Sequence, residues 1–266
     1  MSKVTEVSKL QNDASGGPAA TVVEAGSPVP EDAQIVITID GPAGTGKSTI
    51  ARQLAERLGL DFLDTGAMYR AAAAIALDEE IDLADTEALV ARVTQADLHF
   101  DWSASPPTIM ALPASGGDFA PLDHRIRDAD VTSVVSEIAA IGALRAHMVR
   151  KQRIIASQHP HLVSEGRDQG SVVFPDALCK FYLDAEPGVR AVRRAAQLIE
   201  RGEQPDIDEL RAQIERRDHL DSTRSDGPLL CADDAVVVDT SHLSITQVLD
   251  RLEAEVRARL AQDADV

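Results

Sequence analysis

Aromatic residues make up only 3% of this 266-residue chain, so its core must be built from aliphatic and alanine side chains. At 44% apolar residues there are enough of them for one large domain, or for a domain with insertions. Cysteine is nearly absent. Cys179 and Cys231 stand in no metal-binding spacing, and Cys179, inside the apolar run "ALCKFYLD", reads as a core thiol of a reducing compartment. Basic residues are also short, 26 against 44 acidic, for a formal net charge of -18. Such a field repels DNA, RNA and anionic lipid, which excludes a broad nucleic-acid surface; any polyanion must meet a local cluster of arginines. No apolar run approaches the roughly 18–20 residues of a membrane span. Residues 1–33, rich in Ser, Gly, Pro and Ala, lack the basic start and apolar stretch of a secretory signal and are expected to form a disordered tail. The seven histidines form no cluster and receive no role. A cytoplasmic monomer is expected.

What is present is an alternation of short apolar runs and helical patterns, which predicts a parallel sheet covered by helices. "QIVITID" (34–40) reads as a buried strand. The helix after it, 48–59, has apolar residues at Ile50, Leu54 and Leu58 and ends at Gly59. "LDFLDTGAMYRAAAAIAL" reads as a strand, a turn and an alanine-rich helix. "LHFDW" and "PTIMALPA" predict two strands of a small insertion. A helical region follows over about 129–157, interrupted near Gly142. "PHLVSEGRDQGSVVF" and "LCKFYLDA" supply two more strands, 187–201 and 206–219 two helices, "DAVVVDTS" a last strand, and "SITQVLDRLEAEVRARLAQ" a closing helix.

Between the first strand and its helix, "GPAGTGKS" (41–48) fits G-x-x-x-x-G-K-[ST], with a strand before it and a helix after. Gly41, Pro42, Ala43, Gly44, Thr45 and Gly46 supply a bare backbone whose N–H groups can turn inward around phosphate oxygens. The helix N-terminus behind Thr49 adds positive potential. Lys47 is placed to reach the β- and γ-phosphates, and the Ser48 hydroxyl to hold Mg²⁺. This part is expected to bind a nucleoside triphosphate. No N-K-x-D signature of a GTPase is present. A mechanical ATPase would be larger, or would show a strand ending in acidic residues with a sensor region. A small-molecule kinase needs instead a second anion site in line with the γ-phosphate.

Four pieces suit such a site, although each has a bland alternative. "DTGAMYR" starts a helix with Arg70 one turn in, yet Asp64 and Thr65 are also ordinary capping residues. "EGRDQGS" sits at the C-terminal end of a strand, where open α/β sheets bind ligands, yet Arg167 and Asp168 also make a turn pair. "RRDHLDSTR" puts Arg217, Asp221 and Arg224 on one helical face, as a surface ion pair would also do. "RAVRR" gathers Arg190, Arg193 and Arg194 on one face with only Glu186 placed to compensate, which favours a bound anion.

At these residues the chain resembles the bacterial cytidylate kinases, a branch of the P-loop nucleoside monophosphate kinases. The resemblance runs from about residue 34 to the C-terminus, through "ITIDGPAGTGKST", "LDTGAMYR", "EGRDQGSVVFPDA", "LDAEPGVRAVRRAAQL" and "ERRDHLDSTRSDGPL". It implies an α/β, three-layer fold with a parallel five-stranded core, a lid at about 186–205 and an enlarged monophosphate-binding insertion at about 93–130. It implies transfer of the γ-phosphoryl of ATP to CMP or dCMP. By position, Arg70, Arg167 and Arg217 match arginines that hold the CMP phosphate. Thr65, Ser136, Arg145 and Asp168 match residues around the cytosine. Asp221 with Tyr69 matches the sugar contacts, and Arg224 a further active-site arginine. Lys47, Arg190, Arg193 and Arg194 are the expected catalytic cations. The chain departs from the pattern at Glu165, where aspartate is more usual, at Gln169, where an apolar residue usually sits, and at Gly142, which replaces a proline. Ser136 and Arg145 can share a base only if the helix breaks near Gly142. Kinases of the same fold acting on AMP, UMP, shikimate or dephospho-coenzyme A remain alternatives, as does an ATP-sensing module without turnover.

Overall fold

The structure is a computed structural model and describes residues 34–263, so the expected tail (1–33) lies outside the described residues. Strand β1 (Ile35–Asp40) is buried along its whole length, as its β-branched content predicts. It forms the middle of a five-stranded sheet in the order β2-β6-β1-β7-β8, where β2 is Asp61–Asp64, β6 His161–Glu165, β7 Cys179–Asp184 and β8 Val236–Asp239. Every pairing is parallel, as expected. Because the strands on either side of β1 come later in the chain, the connections diverge there. A crevice opens at the carboxyl ends of β1 and β6, where such sheets bind ligands.

Helices cover both faces. Alternate residues of β6 serve opposite sides, Leu162 one cluster and Val163 the other. On the Val163 side, α1 (Lys47–Leu58) and α8 (Ile245–Asp263) bring Ile50, Leu54, Leu252 and Val256 against Ile37 and Phe181. On the other side, α2 (Thr65–Asp78) is buried through Ala71, Ala72, Ala73 and Ala74, whose small side chains let neighbouring elements approach closely. This dense packing of small residues is how a chain poor in rings still closes a core. No turn separates β2 from α2: Asp64, the last residue of the strand, caps the helix by accepting from the Ala67 N–H at 2.9 Å.

Between α2 and the two expected strands lies α3 (Thr86–Gln95), which sequence patterning missed, capped by Asp85 and buried through Leu89 and Val93. An antiparallel sheet follows, β3 (His99–Asp101), β4 (Thr108–Ala111) and a two-residue β5 (Ala120–Pro121). The expected helical region is split into α4 (Ala129–Ile138) and α5 (Gly142–Gln158), with the break at Gly142. After β7 come α6 (Pro187–Glu200) and α7 (Ile207–Thr223), the latter ending four residues later than the periodicity suggested. Arg224 sits just past its end in extended backbone, so Arg217, Asp221 and Arg224 do not share one continuous helical face. No helix among the described residues is long and apolar enough to cross a membrane.

Candidate active site

The glycine-rich turn after β1 is tied down at both ends. Asp40, at the strand's end, accepts from the N–H groups of Gln169 at 2.9 Å and Gly170 at 2.8 Å. Burial nevertheless pushes its pKa up to about 6. Gly41 has φ +142°, and a Cβ there would lie 2.0 Å from the Leu183 carbonyl oxygen, so only glycine lets the loop leave the sheet. Lys47 opens α1 and is buried. Its Nζ donates to the Pro42 carbonyl at 2.7 Å, and burial, with the charge of Arg167 next, lowers its pKa to about 7. Ser48 Oγ donates to Glu165 Oε1 at 2.7 Å.

Glu165 is the residue the sequence reading most undervalued. It ends β6, the strand beside β1, and burial above all pushes its pKa well up. The acidic strand end used to set a mechanical ATPase apart is therefore present, held against the loop's own serine. The hydroxyl of Ser48 and the carboxylates of Glu165 and Asp64, whose strand ends are paired in register, form a hard-oxygen donor set that fits Mg²⁺.

The loop forms one wall of a cavity of about 700 Å³ that runs from the start of α8, through α1, to α4, α5 and α7. Nine basic side chains line it against four acidic ones, in a chain of net charge -18. The local arginine cluster that the composition demanded is here.

Asp221 is its hub. Arg167 Nε donates to Asp221 Oδ2 at 2.9 Å, Arg217 Nε lies 4.0 Å from the same oxygen, and Arg224 Nη1 lies 3.9 Å from the other. Burial acts to raise Asp221, but the three guanidinium groups win and hold its carboxyl below the usual range. Arg70 donates to Thr132 Oγ1 at 2.9 Å and to the Ile126 carbonyl at 3.2 Å. Arg70 and Arg217 are both lowered to about 10, by burial first and then by neighbouring arginines. One carboxylate cannot neutralise this group, and Arg217 Nε and Arg224 Nη2 are buried with no hydrogen-bond partner among the described residues. The site is built for an anion.

Beside it, Arg145 Nη2 donates to Asp168 Oδ2 in an ion pair whose side chains are both 4% exposed. The Arg145 guanidinium also donates to the Ala139 carbonyl at 3.2 Å and lies 5.4 Å from the Tyr69 ring centroid. Gly227, at φ +54°, closes over the pair; a Cβ there would meet Arg145 Nη2 at 2.2 Å and Asp168 Oδ2 at 2.3 Å. The break between α4 and α5 brings Ser136 and Arg145 to the same cavity, as the sequence required. Thr65 Oγ1 donates to the Glu165 carbonyl at 2.7 Å and also lines the cavity.

The three arginines of α6 divide. Arg194 lines the cavity beside Gln197, and Arg193 lines it while donating to Thr240 Oγ1 at 3.0 Å. Arg190 turns away. It is buried behind the loop, donating to the carbonyls of Ala185 at 2.8 Å and Ala43 at 3.1 Å and to Asp218 Oδ2 at 2.5 Å. The expectation that only Glu186 offsets these charges is corrected: Asp218, on α7, is the partner, and Arg190 braces the loop from outside the cavity. Arg127, between β5 and α4, lines the cavity with Asp64 at 3.5 Å and is a residue the motifs did not single out.

A loop shaped for a triphosphate at one end of a single cavity, and a surplus of half-buried arginines at the other, define a P-loop phosphotransferase of the nucleoside monophosphate kinase fold. The chain belongs to the cytidylate kinase family, whose model matches residues 37–258. It is 43% identical to the cytidylate kinase of Rhodococcus opacus over 226 residues, covering 85% of this chain and 96% of that one. It is 43% identical over 221 residues to the cytidylate kinase of Corynebacterium efficiens, covering 83% and 94%. A bifunctional pantoate ligase/cytidylate kinase of Synechococcus is 44% identical over 229 residues, 86% of this chain and 45% of that protein.

Proposed function

We propose that this protein moves the γ-phosphoryl of ATP to CMP or dCMP, giving ADP and CDP or dCDP. The observation that carries the reading is the two-ended cavity: the phosphate loop faces a half-buried arginine cluster with donor groups to spare, and the Arg145–Asp168 pair stands beside that cluster. Family membership supports the same reaction.

The loop 41–49 would cradle the ATP phosphates, with Lys47 leaving the Pro42 carbonyl to reach the β- and γ-oxygens. Ser48, with Glu165 behind it, would hold Mg²⁺, which when bound supplies charge neutralisation on the phosphates. Arg70, Arg167 and Arg217 would hold the CMP phosphate, Asp221 and Tyr69 the sugar, and Thr65, Ser136, Arg145 and Asp168 the cytosine, with Arg224 completing the acceptor side. A CMP phosphate oxygen, ionised at neutral pH, attacks the γ-phosphorus while the bond to the β–γ bridging oxygen breaks and its electron pair leaves with ADP. No strong general base is required; catalysis is positioning and charge stabilisation. Arg193 and Arg194, on a lid at about 186–205, would close over the transferring group and exclude water, with Arg190 holding the loop beneath them. We place the reaction in the cytoplasm, with a single chain as the working unit.

A coupled assay with ATP and a panel of acceptors tests this. CMP and dCMP should support ADP release, with CMP exceeding UMP in kcat/KM by about tenfold or more, because a pocket that pairs with the cytosine amino group leaves a buried group unpaired with uracil. Turnover of AMP, UMP or shikimate in preference to CMP overturns the reading, and nucleotide binding without turnover points to a sensor.

The lowered Lys47 carries a second expectation. Phosphate oxygens favour the charged amine, so ATP binding should raise its pKa above about 7. Binding near pH 8 should then take up a proton and weaken as pH rises. Calorimetry in buffers of different ionisation enthalpy reads the uptake directly, and Lys47→Met should abolish it.

A further inference from the structure

Beneath the loop that carries Arg167 and Asp168 lies a run of buried, uncharged polar side chains to which the transfer reaction gives no role. Ser164 Oγ donates to Gln169 Oε1 at 2.8 Å, and Gln169 Nε2 donates to Gln152 Oε1 at 3.2 Å. Gln152, on α5, is wholly buried and Gln169 is 1% exposed. Buried amides are costly unless paired, so two of them in a core otherwise filled with aliphatic side chains call for a reason.

One end of the run touches the acceptor site. At one end the Gln169 amide packs directly under Gly166. A Cβ there would lie 2.8 Å from Gln169 Cγ and Nε2, so the loop backbone leading into Arg167 and Asp168 rests on the amide itself. At the other end Gln152 Nε2 has no hydrogen-bond partner among the described residues. Gln152 therefore acts on the site by holding the Gln169 amide in place, and the run supports from below the loop whose Asp168 pairs with Arg145.

We propose that Gln169 and Gln152 are positioning residues for acceptor choice: acting through Gly166, they set the placement of Asp168, and with it the Arg145–Asp168 pair, against the acceptor base. This rests on the cytosine reading above. The pair reads the base, so loosening its support moves base discrimination first, while the phosphate loop, braced from its far side by Arg190 and leaning only on the backbone of Gln169 through Asp40, keeps its grip on ATP.

Gln169→Met and Gln152→Met each keep the side chain's length and remove its hydrogen bonds. In the full chain, kcat/KM for CMP and for UMP at saturating ATP, the KM for ATP and the melting temperature are measured together. Each single variant should lower the CMP-to-UMP ratio by about fivefold or more, chiefly through KM for CMP, with KM for ATP held within about twofold. The double variant replaces both partners by apolar groups and should recover much of the lost melting temperature without recovering the ratio, which separates stability from selectivity. If a single variant does not fold, the double variant carries the test. A fall in melting temperature with the ratio unmoved makes the glutamines ordinary core residues and overturns the inference alone. A native enzyme with no preference for CMP overturns both the inference and the cytosine reading.

Discussion

Replacing Lys47 with Ala is expected to lower kcat by at least about 10²-fold while leaving the fold in place. The amine is buried and, among the described residues, has only the Pro42 carbonyl as a hydrogen-bond partner. Its charged form is disfavoured by that burial, so folding draws little from it, and the melting temperature should stay within a few degrees. In the reaction the balance reverses. As the γ-phosphoryl leaves its bridging oxygen, negative charge gathers on the β-phosphate, and a fixed cation in a water-poor cleft is worth far more there than in the resting enzyme. The loss should therefore fall chiefly on kcat with CMP and ATP both saturating, with a smaller rise in KM for ATP. Near-normal turnover in Lys47→Ala would mean that the triphosphate does not lie on this loop.

Asp168→Asn should produce the second large effect, on two observables at once. The native carboxylate is paired with Arg145, and both are nearly sealed from water under Gly227. Losing one charge of a buried pair leaves the other uncompensated, at a cost that reaches about 3–5 kcal/mol when the partner is removed outright and less when an amide can still accept. A fall of several degrees in melting temperature is expected. The second observable is base choice. Cytosine and uracil have nearly the same shape and differ at C4, an amino donor in one and a carbonyl acceptor in the other. An ionised carboxylate only accepts, so it suits the amino group and repels the carbonyl; an asparagine amide can turn to donate. The CMP-to-UMP ratio of kcat/KM, measured at saturating ATP, should narrow from about tenfold or more towards unity as overall rate falls. A ratio that stays at its native value in this variant would take Asp168 out of the base pocket, whatever happens to stability.

The parallel sheet, the phosphate loop and the break at Gly142 were all legible in the sequence, because each follows from neighbours in the chain. Burial of every side chain marks β1, glycine spacing marks the loop, and four-residue periodicity marks α1. Where local pattern was thin, reading failed. Only Leu89 and Val93 mark α3, and a two-residue β5 has no pattern to read. The partners of the charged residues were a different matter. Ser48 meets Glu165 across 117 positions, Arg167 meets Asp221 across 54, and Arg190 meets Ala43 across 147. The sequence alone determined that an arginine-rich anion site must exist in so acidic a chain, and which segments carry it. Only the tertiary structure decided that Arg190 braces the loop from outside the cavity, that Glu165 takes the serine, and that two buried glutamines lie under the acceptor loop. Backbone sterics and side-chain periodicity act over a few residues, whereas the choice of partner waits on the order of strands and on which helix each connection lays beside them.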